Sequence, residues 1–168
     1  MFGNKFEWLK PKKKKQADKV VVKACISGEI IPDEEIKDET FASGVLGKGI
    51  GIIPAEETVT APCDAVVSAV MEDTRHAVCL TLENGAEILI HEGIDTVQLE
   101  GEGFQLFVKS GDHVKRGEPL LRFDSKLLKE KQYDSVTVML LTNPEEFENF
   151  RFIKTGEAHV GETVVLEF

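Results

Sequence analysis

The chain reads as an all-β protein, and three observations carry that reading. Short β-prone runs alternate with glycine and proline along almost the whole sequence. Asn84-Gly85 sits between two apolar-rich runs, the strongest short hairpin signal a sequence offers. The stretch from Ser110-Gly111-Asp112-His113-Val114 to Gly117-Glu118-Pro119 resembles the stretch from Thr155-Gly156-Glu157 to Gly161-Glu162-Thr163. Each copy turns on a glycine–acid pair and then enters a strand, so two related β-motifs share one core; two copies are too few for a solenoid. The expected architecture is an antiparallel sandwich or barrel with one or two very short helices.

Residues 20–26 form the first β-prone run, and residues 31–40 read as an acidic loop. Further runs follow at 45–53, 58–61, 65–71, 76–82, 86–91, 96–99, 105–108, 119–123, 136–142 and 163–168. Two brief helices are expected. One covers residues 125–131 behind an Asp124 cap; the other covers 145–150 behind Asn143-Pro144.

At 168 residues, with 42% hydrophobic and 30% charged residues, the chain is expected to hold one domain with a real core. Its three cysteines, Cys25, Cys63 and Cys79, are odd in number and lack CxxC spacing, so a disulfide framework is not expected and a reducing, cytoplasmic setting fits. The net charge of −10 is uneven: residues 1–23 carry eight lysines against Glu7 and Asp18, a net of +6, leaving −16 on the rest. An acidic body disfavours nucleic acid and favours basic protein partners. No run of apolar residues is long enough to span a bilayer. Residues 1–19 read as a basic, flexible tail ahead of a domain at 20–168. Phe2, Phe6 and Leu9 share a helical face before Lys12–Lys15, a pattern suited to an anionic membrane surface or to a plain solvated tail.

The chemistry is expected at His76 and His91. With Asn84 and Gly85 as a two-residue turn, Val78 faces His91, and His76 becomes the diagonal neighbour of His91 on one sheet face. A one-residue change of loop length is expected to send the rings to opposite faces. A neutral imidazole attacks phosphorus directly and holds the phosphoryl group covalently; a second ring donates to the phosphoryl oxygens. No nucleotide-binding signature accompanies the pair. His113 and His159 sit in glycine–acid turns and read as solvent-facing.

Several segments carry a family resemblance. They are residues 41–54, Val59-Thr60-Ala61-Pro62, Thr74-Arg75-His76, the run from Gly85 through His91-Glu92-Gly93-Ile94-Asp95-Thr96-Val97, and residues 99–104. Together they resemble the glucose-type IIA protein of the bacterial phosphoenolpyruvate-dependent sugar phosphotransferase system, over about residues 20–168. The resemblance implies a compact antiparallel β-sandwich with a shallow active-site depression. It implies phosphorylation of His91 at Nε2 by the phosphohistidine of the carrier HPr, then transfer to a cysteine on the IIB domain of a sugar permease. By the same resemblance His76 hydrogen-bonds the phosphoryl group, Thr74 orients His76, and the Gly93 carbonyl fixes the His91 tautomer. Phe41, Val45, Leu46 and Val97 form an apolar rim, and Glu92 and Asp95 join it in meeting the partner. No cofactor or metal is required.

Three positions depart from the family pattern. Glu92 replaces an apolar residue, Arg75 a small polar one, and Met71 stands where an aromatic is common. Glu92 is expected to repel phosphate or to alter partner choice. Two other readings compete for the histidines: a regulatory binding module on the same fold, and a zinc site using His76, His91 and an acid such as Asp95, catalytic or merely fortuitous. Residues 61–67 and 111–120 resemble pieces of biotinyl and lipoyl carrier domains, but the hairpin tip at Asn84-Gly85 lacks their lysine.

Overall fold

The computed structural model describes residues 20–168; the basic tail and its membrane contact lie outside the described residues. The strands are β1 (Val21–Lys23), β2 (Gly28–Pro32), β3 (Lys48–Pro54), β4 (Thr58–Thr60), β5 (Ala65–Val70), β6 (Ala77–Leu82) and β7 (Glu87–Glu92) in the first half. The second half adds β8 (Phe104–Leu106), β9 (His113–Val114), β10 (Pro119–Phe123), β11 (Thr137–Leu141), β12 (Arg151–Phe152), β13 (Gly156–Ala158) and β14 (Val164–Glu167). Two short helices, α1 (Glu39–Ala42) and α2 (Ser125–Glu130), complete the set. Among the described residues every strand pairing is antiparallel.

An eight-stranded sheet in the order β13-β2-β3-β11-β7-β6-β5-β9 packs with two three-stranded sheets, β1-β14-β12 and β4-β10-β8. The sequence repeat has a structural counterpart in this order. Each copy gives one edge strand to the large sheet (β9, β13) and then the central strand of a small sheet (β10, β14).

Strand β11 is buried along its whole length between β3 and β7. Because side chains alternate across a pleat, it serves two cores. Met139 and Leu141 join the main core with Ile50, Ile88, Ile90 and Phe123. Val138 and Leu140 join a smaller core with Ile36, Phe41, Ile94 and Val136. The centre of the large sheet is thus covered on both faces. The main core comes from the small sheets; the smaller one comes from residues 33–42 folded back over β3 and β11.

The expected helix behind Asp124 is α2, and its cap forms: the Asp124 carboxylate accepts from the Leu127 N–H at 3.0 Å. The expected acidic loop at 31–40 instead holds the end of β2, a 3-10 turn at Asp33–Glu35 and the start of α1. Asp38 caps α1 by accepting from the Thr40 N–H at 2.8 Å, a short-range bond that the surrounding charge run obscures. Residues 96–99 form a 3-10 turn, not a strand, because Asp95 and Glu100 at its ends adopt left-handed φ of 58° and 51° and reverse the chain. The expected helix at 145–150 shrinks to a 3-10 turn at Pro144–Glu146. The chain extends again at Phe147, whose ring packs on Phe168 at 4.9 Å.

Gly49 has no room for a side chain: a Cβ there would run into the Met139 carbonyl oxygen of β11. Forced separation of β3 from β11 would open both cores. Gly49→Ala is expected to lower unfolding stability by about 3 kcal/mol, measured by guanidinium denaturation; an unchanged midpoint would show that the β3–β11 approach has slack.

Candidate functional site

The two histidines converge, but not by the expected route. The turn between β6 and β7 has three residues, Glu83, Asn84 and Gly85, closed by the Leu82 N–H donating to the Ala86 carbonyl at 2.9 Å. Gly85 takes φ +85°, and the Asn84 side chain accepts from the Ala86 N–H at 3.0 Å. Ala77, not Val78, therefore faces His91. Yet the rings do not separate. His76 lies one residue before β6, where alternation no longer governs direction. The chain reaches it through a turn in which the Arg75 N–H donates to the Met71 carbonyl at 2.7 Å and Arg75 adopts φ +57°. This turn delivers the His76 ring edge-on to His91, with centroids 4.6 Å apart and planes at 89°.

His91 projects from β7 on the side of the smaller core, across from Val138. Its ring is flanked by His76 and by Phe41, whose centroid lies 4.9 Å away. Burial is the main cause that lowers its pKa, the nearby His76 lowers it further, and the Gly93 backbone and Asp38 oppose the shift; the result is about 4. Nδ1 is sealed from solvent without a hydrogen bond of full geometry. His76 is itself buried, and burial lowers its pKa against an opposing backbone contact to Thr74. Its Nδ1 lies 2.8 Å from the Thr74 hydroxyl, and Phe104 packs on its far side at 6.4 Å. Both rings are thus neutral near neutral pH.

Gly93 follows with φ +78°, a conformation that favours glycine, and a Cβ there would strike the Thr96 methyl. Its N–H donates to the Val136 carbonyl at 2.8 Å. Asp95 is exposed on the same turn. Val45, Leu46 and Val97 are exposed apolar residues, at 74%, 41% and 49%. Phe41 is different: it is buried against His91, so it forms a wall of the site and not an exposed rim.

Glu92 requires the clearest correction. It is fully buried and faces the main core, the opposite side of β7 from His91. Alternation sends consecutive residues of a strand to opposite faces, so its carboxyl neither meets a partner nor sits beside phosphate. Burial first, then nearby Asp134, push its pKa well above the usual carboxylate range, against a hydrogen bond from Thr137. Its surroundings thus favour the uncharged acid. The three-ligand zinc alternative lacks its site: among the described residues no group of three His, Cys, Asp or Glu side chains is arranged to hold a metal ion. His113 and His159 are exposed, as expected from their turns. A cleft of about 930 Å³ bounded by Ile36, Lys126, Lys129 and Tyr133 contains neither site histidine. Among the described residues no helix is long and apolar enough to cross a membrane.

A β-sandwich that packs two imidazoles edge to face fits the class of phosphoryl-relay proteins. Comparison with known proteins makes the assignment definite. The family model of the phosphoenolpyruvate-dependent sugar phosphotransferase system, EIIA 1, matches residues 20–147. A PTS system glucose-specific EIIA component of Oceanobacillus iheyensis is 41% identical over 167 residues, covering 99% of this chain and 98% of that protein. A PTS system glucose-specific EIIBCA component of Corynebacterium glutamicum is 40% identical over 146 residues, covering 87% of this chain and 22% of that longer protein. The solved structure of glucose permease IIA from Mycoplasma capricolum superposes with a TM-score of 0.78 at 31% identity, covering 88% of this chain and 95% of that one. The chain belongs to the EIIA 1 family of the phosphoenolpyruvate-dependent sugar phosphotransferase system and is a phosphotransferase component of sugar uptake.

The depressed His91 pKa has a consequence for stability. Between about pH 6.5 and about pH 4 the unfolded chain protonates this histidine and the folded chain does not. The unfolded state then binds more protons, so stability falls as pH falls through that window, by about 3 kcal/mol at most. Chemical denaturation of wild type and His91→Gln from about pH 7 to about pH 4.5 is expected to show a steeper loss in wild type; parallel curves would mean that the ring titrates normally.

Proposed function

We propose that His91 accepts a phosphoryl group from phospho-HPr on Nε2 and passes it to a cysteine of a IIB domain, as one covalent step of sugar uptake with concomitant phosphorylation. The observation that carries this reading is the edge-to-face pair of neutral imidazoles, 4.6 Å apart. A phosphoryl acceptor needs a free lone pair, and the low pKa supplies it at neutral pH. Nδ1 is the sealed nitrogen, which supports Nε2 as the nucleophile. With its proton on Nδ1, directed toward the Gly93 backbone, the ring presents the Nε2 lone pair outward.

In the forward step that lone pair attacks phosphorus. The new N–P bond forms as the N–P bond to the donor's histidine breaks, and the bonding pair leaves with the donor imidazole. His76 takes the second role. A hydroxyl proton from Thr74 to Nδ1 leaves the His76 proton on Nε2, aimed as a donor to the phosphoryl oxygens where charge resides. In the second step a cysteine thiolate of the IIB domain displaces His91. Relatives with fused EIIBCA chains support a IIB acceptor.

The exposed Val45, Leu46 and Val97 suit a protein partner whose docking excludes water, strengthening donor–phosphoryl contacts and slowing hydrolysis. Asp95, exposed on the turn after His91, adds a polar contact for a basic partner. Residues 20–168 act as the IIA domain, and the basic residues 1–19 as a tail suited to anionic membrane surface. The chain works in the cytoplasm.

The relay is tested by supplying phosphoenolpyruvate, enzyme I and HPr and measuring acid-labile phosphate. His91→Ala is expected to lose all label, while the His113→Ala control keeps it. His76→Gln is expected to accept phosphate from HPr but to pass it on about 100-fold more slowly. Normal onward transfer by His76→Gln would remove the donor role; label retained by His91→Ala would overturn the reading.

A further inference from the structure

Glu92 adjoins the phosphoacceptor, yet no step of the relay uses its side chain. The residue is a junction. Its N–H donates to the His76 carbonyl at 2.8 Å. Its own carbonyl accepts from the Thr96 hydroxyl at 2.5 Å. On the core side, carboxyl Oε2 accepts from the Thr137 hydroxyl at 2.6 Å, and Oε1 has no partner. Glu92, Thr96 and Thr137 are all fully buried.

We propose that Glu92 is a positioning residue of the relay: the grip between its carboxyl and Thr137 pins the strand end from which His91 projects and to which the His76 backbone is bonded. This rests on the relay reading above. A leucine at this position would occupy a similar space but could not make that grip. Here the end of β7 is tied to β11 by a side-chain bond in addition to the ladder, and both histidines hang from the tied segment.

The Thr137 bond by itself favours the ionised carboxyl, but burial first and then Asp134 disfavour charge at this place. The groups that face it are Asp134, from the turn before β11, and the Cys25 thiol, from the connection between β1 and β2, with Glu56 beyond Cys25. All are acids or a weakly acidic thiol. Among the described residues no lysine or arginine forms an ion pair with Glu92. An ionised Glu92 would carry charge on an oxygen that already lacks a partner, so ionisation drives the carboxyl out of its place. The sign is fixed by linkage. The folded chain keeps a proton that the unfolded chain releases above the ordinary carboxylate range, so raising the pH works against the gripped state.

Two measurements on the full chain test this. The first is the rate of phosphoryl transfer from phospho-HPr between about pH 6 and about pH 10. Wild type is expected to lose rate on the alkaline side. Glu92→Gln, which keeps an acceptor for Thr137 but does not titrate, is expected to match wild type within about twofold at neutral pH and to lack the alkaline loss beyond what HPr itself imposes. Glu92→Leu, folded by circular dichroism, is expected to be slower by about tenfold at every pH. The second is the pH dependence of the His76 and His91 ring signals by NMR in the unphosphorylated protein, which needs no transfer. An alkaline step in wild type and none in Glu92→Gln is expected. The proposal is overturned if Glu92→Gln keeps the wild-type alkaline behaviour, if wild type shows no alkaline ring step, or if Glu92→Leu transfers as fast as Glu92→Gln. A wild-type chain that takes no phosphate refutes the relay instead, and the ring signals still decide the role of Glu92.

Discussion

Burial on both faces at the end of β7 shapes everything chemical in this protein. One face of the strand is fully covered and the other partly, so two successive residues there both lose water. His91 turns toward the smaller core and Glu92 toward the main one. Each answers the loss in the same way, by preferring its uncharged form. For histidine that form is the nucleophile. For glutamic acid it is a group that bonds to Thr137 and adds no charge behind His91. A strand with one fully solvated face would have given a hydrated imidazole that protonates more readily.

The smaller core has its own origin. It exists because residues 33–42 fold back over the sheet and insert Ile36 and Phe41. Asp33 anchors the segment: its carboxylate accepts from the Gly49 N–H at 3.3 Å and from the Lys154 ammonium at 3.0 Å. Asp38 then caps α1 and places Phe41 against the His91 ring. The acidic stretch expected as a loop is therefore the segment that covers the His91 ring. Its charges mattered less than the two apolar residues spaced between them.

This marks where the sequence was legible and where it was not. The β-rich class, most strand positions, the α2 cap and the two-motif repeat followed from period, punctuation and self-similarity, all local properties. The pairing of His76 with His91 was legible as an outcome but not as a mechanism. Asn84-Gly85 marks a turn, yet two- and three-residue loops share that signal, and the register moved by one. What restored the pair was the left-handed Arg75, a conformation that a charged residue does not advertise. Glu92 failed for a different reason. Its residue type argued for the surface, whereas its place in a two-faced strand put it in the core. Only tertiary structure decides between those.

Two distant features of the chain then meet in one purpose. The relay must accept a doubly charged group readily and release it as readily, so the site cannot hold phosphate with strong fixed cations. The geometry agrees: the ring beside His91 is a neutral imidazole, and Arg75, the cation nearest in sequence, is exposed on the turn outside it. Directional donors on a dry, apolar-edged surface stabilise the transferring group only while a partner covers it. A neutral acid behind the strand suits that economy, since it adds rigidity without adding field. Rigidity supplied by a lysine–carboxylate pair would have brought charge beside two rings whose burial favours their uncharged forms.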